Sequence, residues 1–370
     1  MTRLIAVPCI AALLLSVGAA VCPAAQQDWP SFRGGPLQTG TTDSPLPAGL
    51  RLLWTREAGS AVESTAAIVG DAVYVATKKG DLLALRLSNG AVRWRYNAGA
   101  RISASPCVSG GMVYIGDEDG VFHAVNAGTG KRVWKYGTGD QIISSATAVP
   151  GAVLFGSYDN YLYKLNARTG AKIWSFRSGA QVHCSPCVAS NTVVIAGCDG
   201  HVRMVNLTTG KETAAGYVGA NFAASPAYAG GAAFAGSMEG EYVSVRLSDG
   251  KVLWKVSVRR DGGASYSSAA VAGNRVIFSS RNKSVFCLHR TSGKTLWTFS
   301  ANDRVDSSPV IVGNRVFFGS DDGRLYALGL STGKMVWKFE AGAGITASPA
   351  VGHGRLVIGA GDGAVYCFGK

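Results

Sequence analysis

Residues 308–337 read Ser308-Pro309-Val310-Ile311-Val312-Gly313-Asn314-Arg315-Val316-Phe317-Phe318-Gly319-Ser320-Asp321-Asp322-Gly323-Arg324-Leu325-Tyr326-Ala327-Leu328-Gly329-Leu330-Ser331-Thr332-Gly333-Lys334-Met335-Val336-Trp337. Asp322-Gly323 is two-residue turn text, and Thr332-Gly333-Lys334 places glycine where a turn needs positive φ. The text between is short, β-branched and aromatic, which is strand text. The unit therefore reads as four strands: one through Ser-Pro, one ending near Asp-Gly, one over Leu325–Leu328, and one carrying Trp337.

The same unit runs along the whole chain. Trp54, Trp94, Trp134 and Trp174 fall at a fixed period, and Trp254, Trp297 and Trp337 continue it across one short insertion. Ala214 stands where the series lacks its Trp. Four residues before each of these positions, from the second onward, lies Gly90, Gly130, Gly170, Gly210, Gly250, Gly293 or Gly333. The Ser-Pro marker, or a near match, begins at Thr65, Ser105, Ser145, Ser185, Ser225, Ser268, Ser308 and Ser348. Asp-Gly or a relative also recurs in every unit; Asn282-Lys283 departs from it, and a looser turn is expected there.

A period of about 40 residues with four strands per unit is the signature of a propeller blade rather than a helical solenoid. The fold expected is all-β, an eight-bladed β-propeller of four-stranded antiparallel blades. The first Trp strand, 52–56, precedes any complete unit, and the last unit ends at Val365-Tyr366-Cys367-Phe368 without one. The N-terminal strand is therefore expected to complete the last blade, closing the ring and removing free edges. Each Trp is expected between neighbouring blades with its N–H on a turn carbonyl. The Ala214 unit also loses strand text over 212–219; of a packing defect and a docking surface, the second is the reading taken.

The 370 residues are 47% hydrophobic and 16% charged, with 49 glycines and a net charge of +13. No run of five or six basic residues occurs, so the charge reads as solubility with weak attraction to anionic surfaces, and no nucleic-acid partner is expected. Arg3, an apolar run over 4–21 and small residues at Ala20 and Ala25 read as a secretory signal. The expected organisation is a signal peptide over 1–25, an extended segment over 26–50 and the propeller over 51–370. The protein is expected to be exported, periplasmic or secreted, monomeric, and without a membrane span once the signal is removed; a lipid anchor at Cys22 is the lesser alternative.

With these markers in place the chain resembles the pyrrolo-quinoline quinone (PQQ) repeat family, whose blade text stands nearly intact over 308–337. Asp28-Trp29-Pro30-Ser31-Phe32-Arg33-Gly34 also resembles the N-terminal signature of secreted members. Two branches of that family bear on function. Quinoprotein dehydrogenases hold PQQ and calcium at the propeller centre; BamB-like periplasmic propellers bind other proteins and carry no cofactor. The dehydrogenases are longer, with large insertions, and the alcohol dehydrogenases among them carry an adjacent-cysteine disulfide, which this chain lacks. The resemblance therefore implies a non-catalytic scaffold binding a protein or cell-envelope polymer, with no cofactor, and a PQQ–calcium oxidoreductase or a subunit of one as the alternative.

Taking the Ser-Pro strand as innermost, the residues two before each serine position are Glu63, Ser103, Ile143, His183, Ala223, Tyr266, Asp306 and Thr346. Those four before are Ala61, Arg101, Gln141, Gln181, Asn221, Ala264, Arg304 and Gly344. The period of two predicts two stacked rings facing the channel. The candidate ligand ring at its mouth is Glu63, Arg101, His183, Tyr266, Arg304 and Asp306, with the arginines suited to carboxylate or phosphate. No catalytic residue and no metal set is assigned: His183 has no second His or Cys at metal-site spacing, and the turn aspartates read as turn formers. Cys184 falls roughly opposite Cys198, so a cross-strand disulfide is an open alternative. Cys107, Cys187, Cys287 and Cys367 read as small core residues.

Overall fold

The computed structural model describes residues 27–257 and 263–370; the expected signal peptide lies outside them. Each repeat forms a four-stranded antiparallel sheet, in the first blade Ala67–Val69, Ala72–Ala76, Asp81–Arg86 and Val92–Asn97. The second and third strands are buried almost throughout, because neighbouring blades cover both faces. The fourth strand, at the perimeter, alternates between exposed and half-buried positions. Between blades lie apolar layers such as Tyr114 and Phe122 against Phe155 and Tyr163, with the Phe122 and Phe155 rings stacked 3.9 Å apart. Among the described residues no helix is long and apolar enough to cross a membrane.

Eight such sheets complete the ring. The last consists of Ala350–Gly352, Arg355–Gly359, Ala364–Gly369 and the N-terminal strand Arg51–Glu57, with Trp54 opposite Cys367 and Thr55 opposite Tyr366. The predicted closure is thus the one observed.

The tryptophans sit between blades. Trp54, Trp94, Trp134, Trp174, Trp254 and Trp297 each donate their indole N–H to a turn carbonyl of the next blade at 2.8–3.1 Å. The turn glycines lie against these rings. Gly130 has φ 70°, and a Cβ there would stand 2.7 Å from Cδ2 of Trp94. Glycine is required twice over, for backbone conformation and for the ring it touches.

Two departures from the repeat keep its backbone plan. Lys283 takes the same left-handed conformation as the turn glycines, φ 68°, and its carbonyl accepts from Ala301 N as that of Gly120 accepts from Thr138 N. The turn thus keeps the backbone conformation of its glycine counterparts. The Ala214 unit still forms its strand, Glu212–Tyr217, with Ala214 opposite Met204 as Trp134 is opposite Ala124. Its seam is closed, so the missing indole leaves no packing defect. A Cβ on Gly216 would lie 2.3 Å from the Gly250 carbonyl oxygen, and one on Gly250 2.4 Å from that of Ala215. Backbone packs on backbone where the indole would have been.

Residues 27–42 do more than extend. They run once around the channel as a strap across the inner edges of the sheets. The N–H groups of Ile68, Val108, Val188, Tyr228, Val271 and Ile311, each the middle residue of an innermost strand, donate to the carbonyls of Trp29, Pro30, Pro36, Leu37, Thr39 and Gly40. Gln38 Nε2 reaches Thr147 in the third blade, and Gln27 O accepts from His353 N in the eighth. Thr41–Thr42 then pairs in parallel with Val310–Val312 as a fifth strand. Inner edges that would otherwise present unpaired donors are thereby satisfied. The signature text over 28–34 does this work: Trp29 and Arg33 are both 1% exposed, and Arg33 donates to the carbonyls of Ala269 and Pro309. Burial pushes the Arg33 guanidinium down to about 9.

Candidate functional site

The strap closes one end of the channel, and the other end opens as a cup. The turns joining first to second and third to fourth strands share the strap side, as Ala127 N bonding Gly111 O shows. The loops joining second to third strands and one blade to the next share the cup side, as Thr138 N bonding Gly120 O shows.

The cup has a volume of about 480 Å³ and Phe32 of the strap lies at its base. Its wall is the Ser-Pro marker. Each belt residue's N–H donates to the hydroxyl of the next blade's serine: Thr65 to Ser105, Ser105 to Ser145, and on through Ser185, Ser225, Ser268 and Ser308 to Ser348, all at 2.8–3.0 Å. Serine recurs because a small hydroxyl at that bend is the acceptor for a buried N–H one blade away. Among the described residues the buried Thr65 Oγ1 has no partner, so its hydroxyl stands outside the chain of bonds.

Above the belt, all eight residues of the first predicted ring line the cup: Glu63, Ser103, Ile143, His183, Ala223, Tyr266, Asp306 and Thr346. Of the second ring only Arg304 does. Arg101 turns outward, 64% exposed, to Glu118 at 3.6 Å. The six candidate residues therefore do not form one uniform ring.

A third ring that the repeat markers did not single out meets the first. Lys78, Glu118, Tyr158, Cys198, Met238, Arg281, Asp321 and Gly361 each stand immediately before the Asp-Gly marker. Most are fixed by their backbone N–H on a carbonyl of the second ring, as Lys78 N on Ala61 O and Arg281 N on Ala264 O. Several reach across to the first ring of the next blade. Lys78 Nζ donates to Ser103 at 2.6 Å, Tyr158 O–H and His183 Nδ1 are 2.6 Å apart, and Arg281 holds Asp306 with Nε and Nη2 at 2.8–3.1 Å. The same guanidinium lies 3.9 Å over the Tyr266 ring. The signal available in sequence is variability beside a recurrent turn.

The rim charges neutralise one another. Lys78 faces both Glu63 and Glu118, Arg304 faces Asp321 at 3.0 Å, and Arg281 faces Asp306. Burial alone would lift the Glu118 carboxyl, but the Ser103 hydrogen bond and the charges of Lys78 and Arg101 hold it below the usual range. Asp321 is pushed up by burial and then by the Asp306 charge. Burial pushes the His183 imidazole down to about 4, so it is neutral at pH 7. The arc through Ile143, Tyr158, His183 and Ala223 carries no formal charge at that pH. On the same side of the molecule Tyr217 is 69% and Met238 38% exposed.

Cys184 and Cys198 are free thiols. Cys184 Sγ accepts from Ala196 N at 3.2 Å, while Cys198 Sγ donates toward Phe222 O, so the register sends the two sulfurs to different partners and the disulfide alternative falls. Cys107, Cys187, Cys287 and Cys367 are buried as expected. A larger groove of about 880 Å³ lies on the strap side between Thr41–Ala48 and the sixth and seventh blades, remote from the cup.

A family model described as outer membrane protein assembly factor BamB matches residues 47–151, 140–291 and 281–369. No curated protein sequence matches the chain. Among solved structures it is similar to BamB from Moraxella catarrhalis, with 19% identity, TM-score 0.76, and coverage of 87% of this chain and 100% of that one. It is similar also to the quinohemoprotein alcohol dehydrogenase from Comamonas testosteroni, with 16% identity, TM-score 0.82 and coverage of 94% and 81%. A computationally designed protein, Ika8, aligns with 17% identity, TM-score 0.77 and coverage of 86% and 100%. At these identities the likeness is one of fold.

The cup's donors do not suit a quinone with calcium. A planar polycarboxylate needs free cations and the metal needs free carboxylates, whereas Arg281, Arg304 and Lys78 are engaged with Asp306, Asp321 and Glu63. Among the described residues no three metal-ligating side chains converge.

Proposed function

The chain belongs to the family of outer membrane protein assembly factor BamB, and from that premise we propose that it is an exported, non-catalytic scaffold, periplasmic or secreted, that holds a protein partner on its cup face. The carrying observation is the rim itself, where charges are matched in pairs beside an uncharged arc, with an exposed tyrosine and methionine on the same face. Interfaces take this form, with a few aromatic or flexible apolar anchors inside a satisfied polar border. Short loops over a belted ring keep the surface preorganised, which lowers the entropic cost of association. A cell-envelope polymer is the lesser alternative.

The test is photo-crosslinking in the producing cell, with the reactive side chain at Met238, at Tyr217 and, as control, at Lys131 on the opposite face. A discrete protein adduct from the first two, absent from the third and lost in Arg281→Glu, is expected. Equal adducts from all three positions overturn the reading. Saturable, stoichiometric PQQ uptake by the purified chain with calcium overturns its non-catalytic part.

A further inference from the structure

The side away from the cup has a different chemistry. The turn before each fourth strand ends in lysine at the same position in five blades, Lys131, Lys211, Lys251, Lys294 and Lys334, all exposed. Among the described residues none of these five makes an ion pair, whereas Lys78, Lys255, Lys283 and Lys338 on the cup side each stand within 4 Å of a carboxylate. The few carboxylates near the lysine turns are already held, Asp71 by Arg93, Asp249 by Arg246 and Glu212 by Arg203. The molecule's excess positive charge is thus displayed on one face.

Two residues beyond most of these lysines comes an exposed aliphatic: Val133, Leu253, Leu296 and Val336, between 42% and 57% exposed. Each is the extra residue of a β-bulge, as Arg132 and Trp134 pair with consecutive residues of the third strand. A bulge turns a side chain out of the pleat. Propeller symmetry places the four lysine–aliphatic pairs, in the second, fifth, sixth and seventh blades, at equivalent positions on this side of the molecule. The chain also enters the described region on this face, where Gln27 O meets His353 N.

We propose that the strap face is a docking surface for an anionic phospholipid bilayer. Five lysines at equivalent positions on one side, none in an ion pair, match a plane of phosphate headgroups. Aliphatic side chains beside the lysines suit the boundary beneath them, as on interfacial proteins. A nucleic acid would match the lysines but offers neither a plane nor an apolar layer. The cup then faces away from the membrane.

The test is sedimentation of the full chain with phosphatidylcholine vesicles, with and without phosphatidylglycerol. Binding that requires phosphatidylglycerol and weakens with salt is expected. Lys131→Ala, Lys251→Ala and Lys334→Ala together should lower it about a hundredfold, at roughly fivefold per lysine near a charged surface. Val133→Ser with Leu253→Ser and Leu296→Ser should weaken vesicle binding while leaving any binding to a short duplex DNA unchanged. Equal binding to both vesicle types, or indifference to the lysine triple, overturns the proposal. So does duplex binding as tight as vesicle binding with no response to the serine triple. The lysines are exposed, so an unchanged melting curve shows that the triple is folded.

Discussion

Ala214→Trp would restore the one tryptophan missing from the repeat, and it is expected to destabilise the protein. Were the seam a void, an indole there would gain about 2–3 kcal/mol from burial and about 1 kcal/mol from a hydrogen bond to the next turn. The seam is closed: the Gly250 and Ala215–Gly216 backbones already approach so closely that even a methyl on either glycine would collide. Inserting a ring must push the fourth and fifth blades apart, and overpacking of this kind costs roughly 1–3 kcal/mol. Equilibrium urea unfolding followed by far-ultraviolet circular dichroism reads the sign directly, with an expected loss of about 2 kcal/mol. Trp174→Ala in the adjoining seam, where the ring is present, sets the scale at about 3–5 kcal/mol lost. A stabilised Ala214→Trp variant would refute the closed seam.

Three other variants probe the cup. Ser225→Ala removes the acceptor of the buried Ser185 N–H and should cost about 1–3 kcal/mol in the same unfolding experiment. Thr65→Ala removes a hydroxyl without a partner and should be close to neutral. Because the folded His183 lies below the ordinary histidine value, the unfolded chain takes up its proton first. Stability should therefore fall as pH drops from about 6.5 toward 4. The full shift corresponds to about 3 kcal/mol at 1.36 per unit, and the water-facing side of the cup reduces this to about 2 kcal/mol. His183→Gln should flatten that slope in acid titrations followed by circular dichroism, and an unchanged slope would remove His183 as its source.

The parts of this molecule that repeat were readable from sequence, because identical neighbours impose identical constraints. Trp94, Gly130 and Ser145 recur since each solves a problem posed by the adjacent blade, and the closure of Trp54 onto Cys367 follows from counting strands. The strap was not readable in the same way. It occurs once, and most of its bonds come from its own carbonyls, which leave no mark on residue type; the signature text over 28–34 and Gln38 alone hint at it. The first cup ring followed from strand periodicity. Arg101 escaped because Glu118 draws it outward, and Lys78, Tyr158 and Arg281 stand just before a turn marker whose recurrence masks the residue beside it. The Ala214 seam depends on a small shift between whole blades, which no local pattern encodes.

The strap also sets an order of events in folding. Its residues are made before those of any blade, yet Arg33 bonds a carbonyl 276 positions later in the chain. The strand at Arg51–Glu57 likewise waits for Ala364–Gly369. Neither can settle until the seventh and eighth blades exist, so growth of the chain alone cannot complete the ring. Contacts at such separation are slow to form. A chain delivered across a membrane unfolded and closed only afterwards would meet no conflict with this sequence of steps, whereas one that had to fold as it emerged would carry its beginning unattached until its end arrived.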